Sequence, residues 1–183
     1  MPANSRLGRQ LEEALSALRT AGLPVALIGG LALAPHNVVR ATQDIDLLAD
    51  GDNADAIDTV IGALGYKSIY RSDDAANFLR GDERIDFIFA RRPIARRLLA
   101  GAAHLETSLG SVPVVSKEGL IGFKLQGLAN DVRRTQDAED IRALLRANQG
   151  AMNMTEVREY FKLFGREADL NHWLHELAAP SDQ

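Results

Sequence analysis

Residues 25 to 48 restrict this chain more than any other stretch. They read Val25-Ala-Leu-Ile28, Gly29-Gly30, a segment from Leu31 to Val39, Arg40-Ala-Thr42-Gln, and Asp44-Ile-Asp46-Leu-Leu48. The run before the glycines is short and wholly apolar, which predicts a buried strand. The double glycine predicts a turn whose backbone can take positive φ or approach a ligand closely. A short helix is expected over Leu31 to His36, with Pro35 limiting its interior. Asp44 to Leu48 predicts a second strand. Alternation puts Asp44 and Asp46 on one face, about 6–7 Å apart at the backbone, and Ile45 and Leu47 on the other. Unpaired neighbouring carboxylates repel and cost stability. A greasy strand that keeps two of them implies a task for them.

Carboxylate oxygens suit a hard divalent cation, Mg²⁺ or Mn²⁺, which removes that repulsion and is usually shared with substrate phosphates. Two such ions about 3.5–4 Å apart can activate an attacking oxygen and steady a leaving phosphate. A third carboxylate would complete the site. Asp86 is the candidate, because Arg84-Ile-Asp86-Phe-Ile-Phe89 again sets an acid in an apolar strand. For any one aspartate alone, a strand-end acid paired with an arginine or capping a turn is the simpler explanation. The combination of glycine pair, spaced acids and later strand acid favours a shared site.

The rest of the chain predicts an α/β front and a helical back. Leu7, Leu11, Ala14, Leu15 and Leu18 recur at helical spacing over residues 5 to 20. A second helix is expected over 54–64, strands over 66–70, 78–80 and 84–90, a helix from Pro93 to about 100, and an irregular edge strand over 109–115. Residues 117–130, 135–147, 155–164 and 166–178 all read as helices. The expected division is an α/β core over 1–115 and a helical region over 116–183 packed on it, with residues 148–153 as a hinge before the last helical pair. The 183 residues are 46% hydrophobic, enough for a sizeable core, and carry a formal net charge of −4 and no cysteine. That balance disfavours indiscriminate nucleic-acid binding and excludes disulfides and thiolate metal sites. No apolar run approaches the roughly 20 residues that span a bilayer, and the N-terminus lacks a signal pattern, so a cytoplasmic protein without membrane association is expected.

Gly29-Gly30, Arg40-Ala-Thr42-Gln-Asp44-Ile-Asp46 and Ile85-Asp86-Phe resemble the nucleotidyltransferase superfamily that includes DNA polymerase β. They are similar in particular to small bacterial members related to the AbiEii toxins. The resemblance spans roughly residues 20–147. It implies a small mixed twisted sheet with flanking helices, followed by an α-helical C-terminal part. It implies transfer of a nucleoside monophosphate from an NTP to an acceptor hydroxyl of RNA (tRNA among the candidates), protein or a small molecule. Asp44 and Asp46 would bind Mg²⁺ or Mn²⁺. Asp86 would bind the catalytic ion and draw a proton from the acceptor. Gly29 and Gly30 would offer backbone N–H groups to the triphosphate, with Arg40 and Thr42 beside them. The match departs from the commoner Gly-Ser turn, so a serine contact to phosphate is missing. Glu118-Gly-Leu-Ile-Gly-Phe-Lys124-Leu and the following Arg133-Arg134-Thr-Gln-Asp137-Ala-Glu-Asp140 are similar to the tail of the same relatives, where a lysine faces the phosphates; Lys124 takes that place here. A protein of the toxin type would have an antitoxin partner.

Other features admit simpler readings. Arg40 suits either a phosphate or an ion pair with Asp44 or Asp46. Asp137 and Asp140 suit local pairing with Arg133 and Arg134. Arg91, Arg92, Arg96 and Arg97 read as a solvated helix face or as a patch for an anionic acceptor. His172 and His175 lack further ligands, and Trp173 suits packing of the last helix. Two other functions compete with the transferase. One is a catalytically silent nucleotide- or partner-binding module on the same fold. The other, weaker because it needs no glycine pair, is a different Mg²⁺-phosphate enzyme such as a nuclease or phosphatase.

Overall fold

A computed structural model of the chain describes residues 5–107 and 110–178. The chain divides into two compact units, residues 1–35 with 39–116 and residues 36–38 with 117–183.

The first unit is a mixed α/β layer. It opens with α1 (Arg6–Thr20), capped by the Ser5 hydroxyl, which accepts a hydrogen bond from the Gly8 N–H at 3.0 Å. That cap satisfies one of the donors a helix start leaves open. α1 buries Leu11, Ala14 and Leu18, and the chain turns at Gly22 with φ +70°. Then follow β1 (Val25–Ile28), a 3₁₀ helix over Leu31–His36, β2 (Ile45–Asp50), α2 (Ala54–Ala63), β3 (Lys67–Arg71), β4 (Ala75–Arg80), β5 (Glu83–Ala90), α3 (Pro93–Ala100), β6 (Ala103–Thr107) and β7 (Gly110–Val114). The strands form one sheet in the order β3-β4-β5-β2-β1-β7-β6. β2 runs parallel to β5 and antiparallel to β1, while β4 is antiparallel to both β3 and β5.

Alternation divides this sheet into two faces. Ile45 and Leu47 of β2, Ile85 and Phe87 of β5, and Ala76 and Phe78 of β4 share the face that α1 and α2 approach. Two arginines on that face mark the helices. Arg80 binds Glu13 of α1 at 2.6 Å, and Arg71 binds Asp58 of α2 at 2.9 Å while lying over the Phe89 ring. Phe87 meets Phe78 edge to face at 5.7 Å and stacks with Phe89 at 6.4 Å.

Three expectations need correcting. The second strand runs from Ile45 to Asp50, not 44 to 48, so Asp44 lies just before it. The strand over 109–115 is not an edge strand. Its described part, β7, lies between β1 and β6, and Leu109 falls outside the described residues. Pro113 stands opposite His104 in the ladder to β6, while β7 meets β1 at one register pair, Leu27 with Val114. The edge on that side of the sheet is β6, whose Ala-His-Leu-Glu-Thr text carries little strand signal and which is held by pairing with β7. The short 78–80 strand begins at Ala75, since pairing with β5 extends it.

The second unit is helical: α4 (Lys117–Asn130), α5 (Thr135–Ala147), α6 (Met154–Leu163) and α7 (Glu167–Ala178). Gly122 lets α6 come close to α4, since a Cβ there would lie 3.3 Å from the Tyr160 ring. Trp173 packs edge to face on the fully buried Phe161 at 5.8 Å, as a packing role for the last helix requires. Residues 148–153, expected to hinge, are tied at both ends. The buried Asn148 amide donates to the carbonyls of His36 and Leu144, and the Asn153 N–H donates to Glu118. Among the described residues no helix is long and apolar enough to cross a membrane.

Replacing Phe87, 1% exposed, by alanine is expected to cost about 3–5 kcal/mol in urea unfolding. Tyr66 supplies a pH test. Its burial pushes the phenol up from 10.0 to about 12, against the opposing charge of Arg80. Folding therefore favours the protonated phenol. Stability from this group is intact below pH 10 and falls as pH rises toward 12, because the unfolded chain ionises first. Titration of tyrosinate absorbance should show one group ionising near pH 12.

Candidate functional site

The acids meet through the pairing of β2 with β5. Asp46 stands in register with Asp86 on the neighbouring parallel strand, so both side chains leave the same face. This is the face opposite the one bearing Ile45, Phe87 and the α1–α2 layer. The row continues across the sheet, from Asp86 to Asn77 on β4 and from Asn77 to Tyr70 on β3, at about 4.8 Å per strand. Asp44 sits exposed just before β2. All three acids lie within electrostatic reach of one cation. Arg84 donates its Nε–H to both oxygens of Asp86, at 2.8 and 3.0 Å. Its own pKa is raised, mainly by that hydrogen bond to Asp86 and its charge, and further by the charges of Asp44 and Asp46.

The glycine pair forms one wall of this site. Gly29 takes φ +65°, and a Cβ there would overlap the Asp46 carboxylate. Gly30 holds a second close approach. A Cβ there would lie 2.8 Å from the Thr42 hydroxyl oxygen and 3.0 Å from Arg40 Nη2. Both glycines are thus needed for approach, one to an acid and one to a hydroxyl and a guanidinium. Arg40 also donates to the Ala41 carbonyl at 2.9 Å. Gly29, Gly30, Arg40, Thr42, Asp44, Asp46 and Asp86 all belong to the first unit.

Lys124 belongs to the second unit. It is neither a solvated helix lysine nor an open cation. Its ammonium lies 2.5 Å from Asp140 and 3.3 Å from Asp137, with all three residues buried. Arg134 also binds Asp137, at 2.6 Å, whereas Arg133 turns to Asp131. A Cβ on Gly127 would lie 2.6 Å from Asp137, so that glycine makes room for the network.

The neighbouring carboxylates Asp46 and Asp86 fit a hard cation of the Mg²⁺ kind, which is held by one or two carboxylates and completed by water and phosphate oxygens. Among the described residues, no three His, Cys, Asp or Glu side chains are grouped to hold a metal as they stand, and Asp44, Asp46 and Asp86 are no exception. Asp86 is instead engaged by Arg84. The histidines of the last helix are not brought to a metal cluster either; His172 lies 3.1 Å from Glu176.

The arginine cluster lies away from the acids. Arg91 follows the end of β5, five residues beyond Asp86, which is about 17 Å of extended strand. There Arg96 pairs with Asp52 at 2.9 Å and approaches Asp50 at 3.7 Å, and Arg91 donates to the Asp73 carbonyl. Arg84, Asn77 and Tyr70 escaped the sequence reading. Arg84 was within its reach, since it stands two residues before Asp86 and so shares its face. Asn77 and Tyr70 needed the strand register.

No protein-family model and no curated protein matches the chain at a significant level. Solved structures do match. The antibiotic-resistance factor ANT(2'')-Ia in solution is 21% identical over 92% of this chain and 96% of its own, with a TM-score of 0.64. The crystal structure of ANT(2'')-Ia with adenylyl-2''-tobramycin gives a TM-score of 0.69 at 19% identity, over 87% of this chain and 97% of that one. The lincomycin-bound lincosamide antibiotic adenylyltransferase LnuA gives 0.56 at 16% identity, over 79% and 97%. The fold of this chain is the one these nucleotidyltransferases share.

Replacing Lys124 by methionine leaves two buried carboxylates short of their cation. It is expected to destabilise the protein by about 3–5 kcal/mol in urea unfolding. An exposed lysine serving only a ligand would cost almost nothing.

Proposed function

We propose that the chain is a divalent-metal-dependent nucleotidyltransferase that moves an NMP from an NTP to an acceptor hydroxyl. One observation carries the reading. Asp46 and Asp86 stand in register on one sheet face, against the Gly29-Gly30 turn, on a fold shared with nucleotidyltransferases. A bound Mg²⁺ or Mn²⁺ supplies charge neutralisation at the phosphates and acidifies an attacking hydroxyl. Asp44, Asp46 and Asp86 are the residues that would hold it. The Gly29 and Gly30 backbone N–H groups face the triphosphate, since bare amides at a tight turn suit an anion. The Arg40 guanidinium and Thr42 hydroxyl, both close to Gly30, add charge and a hydrogen bond there. Asp86 accepts the proton of the acceptor hydroxyl. The acceptor's hydroxyl oxygen bonds to the α-phosphorus, the bond from that phosphorus to the bridging oxygen breaks, and pyrophosphate leaves. Lys124 assists at the phosphates only if it is drawn out of its pair with Asp137 and Asp140.

A small hydroxylated acceptor is the favoured class. The arginines that would attract RNA lie at the other end of β5, and two of the similar structures hold small antibiotic molecules, adenylyl-2''-tobramycin in ANT(2'')-Ia and lincomycin in the adenylyltransferase LnuA. A toxin role with an antitoxin partner rests on the sequence resemblance alone. One observation favours the silent binding module, namely the hold of Arg84 on Asp86.

The test is incubation with Mg²⁺ and each labelled NTP, against tobramycin, lincomycin, other hydroxylated small molecules, total RNA and protein. Label is expected in a small acceptor. It should disappear with EDTA and fall by more than about 100-fold in Asp46→Asn, beyond the effect typical of outer-shell metal partners. Tight nucleotide binding with no labelled acceptor would establish the silent module instead.

A further inference from the structure

Arg84 is bonded to Asp86 on the acid face and has no place in the reaction just described. Its Nε lies 2.8 and 3.0 Å from the two oxygens of Asp86, so one N–H is shared across the carboxylate edge where a cation would also sit. Arg84 stands two residues before Asp86 on β5, on the same face and in the same strand. Opening the pair therefore needs a side-chain rotation and no change in the sheet. The Arg84 side chain is 43% exposed against 20% for Asp86, so the guanidinium can return to water while the carboxylate stays lodged in the site. The groups facing it are Asp86 beside it, and Asp44 and Asp46 within electrostatic reach. Without Arg84, the repulsion between Asp86 and the neighbouring Asp46 would be larger whenever no metal is bound.

We propose that Arg84 is a built-in counter-ion to the acid face, holding Asp86 while the site is free of divalent cation and giving it up when one binds. This rests on the metal site proposed above. The guanidinium and the cation compete for the same carboxylate oxygens. Arg84 keeps Asp86 aimed into the face without metal, and it lowers the apparent affinity of the site for the cation. It is a positioning residue, and its removal strengthens metal binding rather than weakening it.

The experiment measures Mn²⁺ binding by the fall in the free-ion EPR signal, on the full chain, first without nucleotide and then with a non-hydrolysable NTP analogue. Arg84→Gln is expected to bind Mn²⁺ about tenfold more tightly than the wild type, since it loses both the competing pair and a repelling charge. Arg97→Gln removes the same charge from an exposed site on α3, past the far end of β5, and is expected to leave the affinity unchanged. Asp46→Asn should abolish binding in both the wild-type and the Arg84→Gln backgrounds. A second measurement needs no variant. The Arg84 Nε–H resonance of the wild-type protein, protected from exchange in the absence of metal, should lose that protection on addition of Mg²⁺.

Binding by Arg84→Gln that equals or falls below the wild type, or an Nε–H signal indifferent to Mg²⁺, overturns the proposal. If the wild type still binds Mn²⁺ through Asp46 in that event, the metal site stands and only the role of Arg84 falls. If neither protein binds Mn²⁺ through Asp46, with or without the NTP analogue, the metal site itself is refuted and this proposal with it.

Discussion

The parallel pairing of β2 with β5 is the interaction on which the rest of the candidate site depends. One register places Ile45 beside Ile85, Asp46 beside Asp86 and Leu47 beside Phe87. It therefore settles two things together. The apolar partners fill the core under α1 and α2, and the acids gather on the opposite face. A slip of one residue would bury an acid and expose a phenylalanine. The core thus enforces the geometry of the site, and the site requires no separate scaffold.

Close approach is the second constraint. A site that gathers like charges must bring its neutralising groups near, and side chains on the turn would block them. The two glycines remove that obstacle. Gly29 admits the Asp46 carboxylate, and Gly30 admits Thr42 and Arg40. The turn that carries the glycines and the segment that carries Arg40 and Thr42 therefore act as one wall, although nine residues separate Gly30 from Arg40 in the chain. Close approach also organises the second unit, where Gly127 makes room for Asp137, which binds both Lys124 and Arg134. Each unit sets a cation against its acids, but the settings differ. Arg84 is partly exposed and can leave its partner at little cost. Lys124 is buried with two carboxylates, where breaking the pairing is expensive.

The elements that were legible in the text are those whose signal is local. The apolar run of β1, the helical spacing of α1, the proline that opens α3 and the four helices after residue 116 all follow from neighbours in sequence, and they fall within a residue or two of their expected bounds. Asp46 and Asp86 were visible as oddities in their strands for the same reason. What was misread depended on partners far away. β6 has little strand character of its own and exists through its ladder with β7. β7 looked like an edge because of Gly110 and Pro113, yet it is interior, lying between β1 and β6.

Residue pattern alone thus determined which side chains were candidates for chemistry, because alternation and helical period are properties of the local backbone. Tertiary structure decided which of them meet. Strand register set Asp86 beside Asp46 and extended the row to Asn77 and Tyr70. Helix packing closed Lys124 into a buried pair with Asp137 and Asp140. The direction of β5 carried the arginine cluster away from the acids. The glycine pair shows the same division. Its sequence announced a turn, but only the folded chain shows why both positions lack a side chain, since the Asp46 carboxylate lies where one Cβ would be and Thr42 and Arg40 crowd the other.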